Sequence, residues 1–196
     1  MRVSAGLPIG VAALLDGEAR QRRALEAELV RRLEGDGFEE VILPILDYFE
    51  PYEPLLTSRS RDELYRFVDR DGQLLALRGD FTPMLARLLA PTLESDGVLR
   101  RRLEDEPLAY FYRGDVIRFQ EARPGRLREY YQIGAEVLGP GKREGEPAVP
   151  DEVDERVLRL FFELLGASGN GLRYQVTLGL AGALDRLLLS PPDGLG

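Results

Sequence analysis

Neither cysteine nor histidine occurs in the 196 residues. Without cysteine there are no disulfides, thiolate nucleophiles or cysteine zinc sites. Without histidine, imidazole catalysis and histidine metal ligation are excluded as well, so no metal and no cofactor is expected. Also lacking are a signal peptide and any apolar run long enough to span a bilayer, which makes the cytoplasm the default location and leaves no membrane contact to expect. Basic residues are outnumbered, 26 against 34 acidic, for a net charge of −8. A chain of that sign repels phosphate backbones as a whole, although a local basic groove remains compatible with it. What is present is ordinary core material. Hydrophobic residues make up 44% and charged residues 31% of a length that fits one domain or one and a half.

Along the chain, an apolar entry over Leu7–Asp16 leads into a helix predicted from Gly17 to about Glu34. Leu25, Leu29 and Leu33 repeat every fourth residue there, and Gly35-Asp36-Gly37 stops it. A strand over Phe38–Leu43 ends at Pro44, and Tyr48–Ser60 reads as a loop. Leu64–Val68 and Gln73–Leu77 flank Asp69-Arg70-Asp71-Gly72 as a β-hairpin. A helix over Met84–Leu89 follows, with Thr82 as its N-cap and Pro83 at its first position. Leu93–Pro107 is a charged connector. After Gly139 a glycine- and proline-rich segment precedes a helix capped by Asp151, with Val153, Val157, Leu160, Phe161 and Leu164 at helical spacing. Leu172–Leu178 reads as a strand and Ala181–Leu189 as a short helix. Residues 1–190 are expected to form one core domain and 191–196 a tail.

The most informative stretch is Tyr110–Gly139, two β-rich runs around a turn-forming segment, Gln120–Arg126. Side chains alternate between faces along a strand. In the second run Arg126, Arg128, Tyr130, Gln132, Gly134 and Glu136 share one face, while Leu127, Glu129, Tyr131, Ile133, Ala135 and Val137 supply a mostly apolar opposite face. Arg118 and Gln120 share one side of the first run. Alternation alone describes the wet side of any antiparallel sheet. Two details point to a ligand instead. A glycine among the polar groups leaves room for close approach, and arginine, used here without lysine, suits planar or bidentate recognition of phosphate and carboxylate.

The run Gly114–Gly139 resembles motif 2 of the class II aminoacyl-tRNA synthetase fold in its histidyl branch, on Arg118-Phe119-Gln120, Gly125-Arg126-Leu127-Arg128-Glu129-Tyr130 and Gln132-Ile133-Gly134-Ala135-Glu136. The helix, glycine turn and strand from Gly17 to Pro44 resemble motif 1 of that fold, which implies a homodimer formed through residues 17–44. Arg78-Gly79-Asp80-Phe81-Thr82-Pro83 resembles the family's substrate loop, with Gly79 in place of the usual proline. The implied fold class is α+β, an antiparallel sheet flanked by helices, without motif 3 or an anticodon-binding domain. The implied site has two parts: Asp80, Thr82, Gln132 and Glu136 as an amino-acid-like pocket, and Arg118, Gln120, Arg126 and Tyr130 as a nucleotide-like pocket. Gln120 departs from the family's glutamate, which weakens the expected adenine contact.

A paralogous branch fits these departures. It lacks the anticodon domain and serves as the regulatory subunit of ATP phosphoribosyltransferase, assisting a short catalytic subunit in the first step of L-histidine biosynthesis. Leu7-Pro8 with Gly10, Gly37-Phe38-Glu39-Glu40-Val41-Ile42 and Asp62–Asp69 resemble it. That resemblance implies no catalytic residue in this chain, a hetero-oligomer with the short-form catalytic subunit, histidine as an effector, and no tRNA partner. The alternative is a fragment or stand-alone relative of histidyl-tRNA synthetase that binds or activates an amino acid with ATP.

Overall fold

A computed structural model describes residues 6–105, 107–121, 126–139, 152–167, 173 and 175–177. Helix α1 spans Asp16–Gly35 and β1 spans Glu39–Glu40. β2 (Leu46–Tyr48), a 3₁₀ turn (Glu50–Leu55) and α2 (Ser58–Glu63) follow. Next come β3 (Arg66–Val68), β4 (Leu74–Leu77), α3 (Thr82–Ser95) and α4 (Gly97–Asp105). β5 (Leu108–Ile117), β6 (Glu129–Leu138) and α5 (Glu152–Ala167) complete the described elements.

The helix stop read from Gly35-Asp36-Gly37 has a defined geometry. Gly37 takes φ +82°, its N–H reaches the Glu34 carbonyl at 3.1 Å, and the Phe38 N–H reaches that of Leu33 at 3.0 Å. This is a Schellman closure, which needs a left-handed residue. Phe38 is thereby spent on ending the helix, so β1 is shorter than the predicted Phe38–Leu43 strand. It pairs with β5 in parallel, Glu39 opposite Tyr110 and Glu40 opposite Phe111. After Val41 the chain peels away and turns the Leu43 and Pro44 carbonyls toward Arg78.

Two three-stranded sheets result, ordered β1-β5-β6 and β2-β4-β3. All pairs are antiparallel except β1 with β5. The hairpin predicted around Asp69–Gly72 is β3–β4, with Arg66 opposite Ala76. The loop expected over Tyr48–Ser60 instead holds the 3₁₀ turn and the start of α2. Thr57 caps α2, its hydroxyl accepting from the Ser60 N–H at 3.1 Å. Helix α3 is longer than Met84–Leu89, and Thr82 is not its cap: Phe81 occupies that position without a side-chain cap bond. The Thr82 N–H is taken by Asp80 Oδ1 at 3.3 Å, which leaves the threonine hydroxyl for another partner. The connector Leu93–Pro107 contains α4. Asp151, most of Leu172–Leu178, Ala181–Leu189 and the tail 191–196 lie outside the described residues.

The hydrophobic core is divided by the β5–β6 pair. On one face Leu33, Phe38, Phe111 and Leu160 form a buried cluster joined by Ile133, Ala135 and Val137. This face is covered by α1 and α5. On the other, Phe81, Tyr112 and Val116 are buried with Val41, Leu43 and Tyr130 against them. The parity read from the sequence therefore places the apolar odd residues of β6 inward as expected, and brings Phe81 at the entry to α3 onto the even face.

Candidate functional site

In the β5–β6 register Tyr112 stands opposite Gly134, Gly114 opposite Gln132, and Val116 opposite Tyr130. Glu136 is on the same face. Its Oε1 accepts the Thr82 hydroxyl at 2.5 Å and the Tyr112 hydroxyl at 3.2 Å. Asp80 bridges Thr82 to Arg118: Oδ1 takes the Thr82 N–H, and Oδ2 takes Arg118 Nη2 at 2.8 Å. Arg118 Nε donates to the Gly79 carbonyl at 2.5 Å. Asp80, Thr82, Glu136 and Arg118 thus form one connected cluster at the start of α3. Gln132 shares the face of Glu136.

The other arginines do not join this cluster. The regular β5 ladder ends at Ile117, but the Arg118 N–H still reaches the Arg128 carbonyl at 2.8 Å while Arg118 also bridges Leu64. Arg128 lies over the Phe119 ring, 4.4 Å from its centroid, and its Nε donates to the Gln120 carbonyl at 3.1 Å. Arg126 and Gln120 line a separate, open cavity of about 650 Å³ with Arg59, Asp62, Glu63 and Phe119. Tyr130 packs on the Phe81–Tyr112–Val116 cluster.

The space over Gly134 is not left for a ligand. A Cβ there would stand 2.5 Å from the Tyr112 ring, so the glycine serves a tyrosine from the neighbouring strand. The Tyr112 ring in turn stacks on Phe81, with centroids 4.2 Å apart and planes 6° from parallel. Burial foremost, with the adjacent Glu136 carboxylate, pushes the Tyr112 phenol up to about 12. It is therefore a hydrogen-bond donor across the physiological range.

Arg78, the first residue of the substrate-loop stretch, has a role that its sequence context does not indicate. Only 6% of it is exposed, and its guanidinium is spent on backbone carbonyls: Asp115 at 3.0 and 2.8 Å, Leu43 at 2.7 Å and Pro44 at 3.0 Å. Burial lowers its pKa. The main chain of Arg78 links the two sheets as well, donating to Ile45 at 2.8 Å and accepting from Ile117 at 2.9 Å. Gly114, at φ +154°, leaves its guanidinium room, since a Cβ there would stand 2.6 Å from Arg78 Nη2.

Beside the cluster, a cavity of about 260 Å³ is walled by Leu55, Leu64, Leu77 and Met84, with Asp80 and Arg118 at one side. Asp47 and Tyr52 also line it. Asp47 is tied to the Tyr52 hydroxyl at 2.5 Å and to Arg87. Burial opposes ionisation of Asp47, but those hydrogen bonds outweigh it and hold its pKa low. Tyr52 is pushed up to about 12, chiefly by burial. These groups satisfy one another and stiffen the wall.

The two-sheet core with its β5–β6 hairpin is the class II aminoacyl-tRNA synthetase fold. An ATP phosphoribosyltransferase regulatory subunit/histidyl-tRNA synthetase from Bacillus halodurans superposes with a TM-score of 0.66 at 23% identity, over 85% of this chain and 38% of that one. The histidyl-tRNA synthetase family model matches residues 10–190, and the chain belongs to that family. The ATP phosphoribosyltransferase regulatory subunit of Carboxydothermus hydrogenoformans is 41% identical over 68% of this chain and 37% of its own length. The histidine–tRNA ligase of Pyrococcus furiosus is 30% identical over 92% of this chain and 37% of its own length. The chain thus spans well under half the length of these curated relatives. No helix among the described residues is long and apolar enough to cross a membrane.

Proposed function

We propose that residues 1–190 are the synthetase-like core of a non-catalytic regulatory subunit of ATP phosphoribosyltransferase. In this reading the core works with a short catalytic subunit in the cytoplasm, at the first step of L-histidine biosynthesis, and its inherited amino-acid pocket takes histidine as the effector. The observation that carries it is the disposition of charge in the cluster. Arg118, a member of the nucleotide-like pocket, is engaged by Asp80 and the Gly79 carbonyl, while Glu136 is held by two hydroxyls and has its charge available to an ammonium group. A pocket so arranged favours binding an amino acid over activating it, and Gln120 in place of a glutamate points the same way. Relatives carrying the regulatory-subunit name at 33–41% identity support the reading.

Two assays separate this from an amino-acid-activating relative of histidyl-tRNA synthetase. The chain should raise phosphoribosyltransferase activity when mixed with a short-form catalytic subunit, and histidine should lower it. Histidine-dependent pyrophosphate exchange should be absent, and measurable exchange would return the protein to the synthetase class. Dimerisation through residues 17–44 is part of the same proposal, supported by the exposure of Ile42, 89% in the single chain, at the end of that unit. Gel filtration with light scattering that shows a monomer at micromolar concentration would overturn it.

A further inference from the structure

We infer that Tyr112 aims the Glu136 carboxylate at a cationic ligand and that Phe81 and Arg78 hold Tyr112 in place for it; the inference rests on the amino-acid reading above and deepens it. Three other carboxylates around the sheets pair with a cation. Glu26 pairs with Arg113 and Arg23, and Asp47 pairs with Arg87. Asp80, at the site itself, has Arg118. Glu136 has two neutral hydroxyls instead, and both bond the same oxygen, Oε1. None of the described residues bonds Oε2. One oxygen fixes the orientation of the group, and the other is left to accept N–H donors from outside. A carboxylate so oriented binds a cation without losing rotamer freedom at the moment of binding.

The Tyr112 hydroxyl can do this only if its ring does not move. An uninterrupted series of contacts prevents movement. The ring fills the space over Gly134 and stacks on Phe81, which is fully buried. The Arg78 guanidinium lies over the same Phe81 ring, 4.0 Å from its centroid. Arg78 cannot shift because its donors are committed to the Leu43, Pro44 and Asp115 carbonyls. Gly114 and Gly134, opposite Gln132 and Tyr112 in the register, are the two positions where a side chain would break the series. Tyr112 and Arg78 are positioning residues here: neither needs to touch the ligand.

The experiment uses the full chain, wild type and Tyr112→Phe, which keeps the stacked ring and removes only the hydroxyl. L-histidine is titrated by calorimetry, and the carboxylate carbon resonance of Glu136, assigned by its disappearance in Glu136→Gln, is followed by NMR. Tyr112→Phe should weaken histidine binding by about three- to tenfold, the size of one hydrogen bond, and should move the Glu136 resonance. Arg78→Lys, which cannot reach the same set of carbonyls, should produce the same pair of effects if it folds; Tyr112→Phe decides the matter if it does not. If histidine binds and Tyr112→Phe changes neither affinity nor resonance, the positioning inference is overturned while the amino-acid reading stands. If the wild type binds no histidine yet the resonance moves, the amino-acid reading falls and the positioning stands. No binding together with an unmoved resonance overturns both.

Discussion

On the odd face of the β5–β6 hairpin, Glu26 of α1 meets Arg113 at 2.6 Å and the Tyr131 hydroxyl at 2.7 Å, with Arg23 on its other oxygen. On the even face, Glu136 meets the Tyr112 and Thr82 hydroxyls and no described cation. Each has a tyrosine donor, but Glu26 is buried at 4% exposure whereas Glu136 is half-buried. The odd face neutralises its carboxylate, and the helix is pinned to the sheet by the result. The even face fixes its carboxylate in orientation while leaving the charge unpaired. Burying a charge is costly unless it is compensated; the buried Glu26 is compensated within the fold, whereas the half-buried Glu136 can keep its charge open to solvent or to a ligand.

The largest effect that separates the two faces should come from the odd-face core. Phe111 is fully buried at the centre of its cluster, and Phe111→Ala should lower unfolding free energy by about 3–5 kcal/mol, measured in urea. Histidine affinity of the folded fraction should stay within about twofold of the wild type, because Phe111 points away from Glu136; a larger loss would mean that the faces are coupled through the sheet. The converse comes next. Glu136→Gln should leave stability nearly unchanged and cost about 1.5–3 kcal/mol of histidine binding, visible as a weaker calorimetric isotherm. A destabilised Glu136→Gln would show that the even-face carboxylate is structural too.

Glu26→Gln tests the scaffold arrangement and should cost about 1–2 kcal/mol of stability at neutral pH. Its sign with pH is determined. Burial alone would raise the Glu26 pKa, but Tyr131, Arg113 and Arg23 outweigh it and hold it below the ordinary carboxylate value. A carboxylate depressed in the folded state contributes fully above its unfolded pKa and loses that contribution as pH falls through the folded one. The wild type and Glu26→Gln should therefore converge in acid and diverge toward neutrality in parallel urea titrations. A gap independent of pH would assign the loss to packing.

The division between the faces was largely legible in advance, and the cluster only in part. Period-2 alternation identified Ile133, Ala135 and Val137 as inward and Gln132 and Glu136 as their opposites, because a strand admits no other arrangement. The alternation does not say where a strand ends. The regular ladder ends at Ile117, yet Arg118 still reaches the Arg128 carbonyl and joins Asp80 at the site, whereas Gln120 lines the separate cavity with Arg126. Gly134 was legible as a position of close approach but not as to what approaches, since the Tyr112 ring comes from the neighbouring strand and only the register supplies it. The role of Arg78 was not legible for a related reason: its partners are backbone carbonyls, which carry no sequence signature. Thr82 was read as a helix cap from its type and place. With the Asp80 carboxylate two residues earlier taking the N–H, its hydroxyl was free for Glu136 across the site.

The smallest change in stability should come from Asp80→Asn, and it is the most informative about the nucleotide side. Both members of the Asp80–Arg118 pair are partly exposed, and such pairs contribute about 0.2–1 kcal/mol, less as salt screens them. An asparagine oxygen can still accept the Thr82 N–H, so the start of α3 should hold. What changes is Arg118. Its Nε keeps the Gly79 carbonyl, but its Nη2 loses the carboxylate that occupies it. If Arg118 faces a nucleotide phosphate when free, Asp80→Asn should strengthen ATP binding while weakening histidine binding, because one mutation removes a competitor on one side and a negative charge from the other. Calorimetry at low and high salt would read both, with the ATP gain larger at low salt. An unchanged ATP isotherm would mean that the Asp80–Arg118 pair is not what limits nucleotide entry, and would leave Arg118 a member of the scaffold like Arg113 on the opposite face.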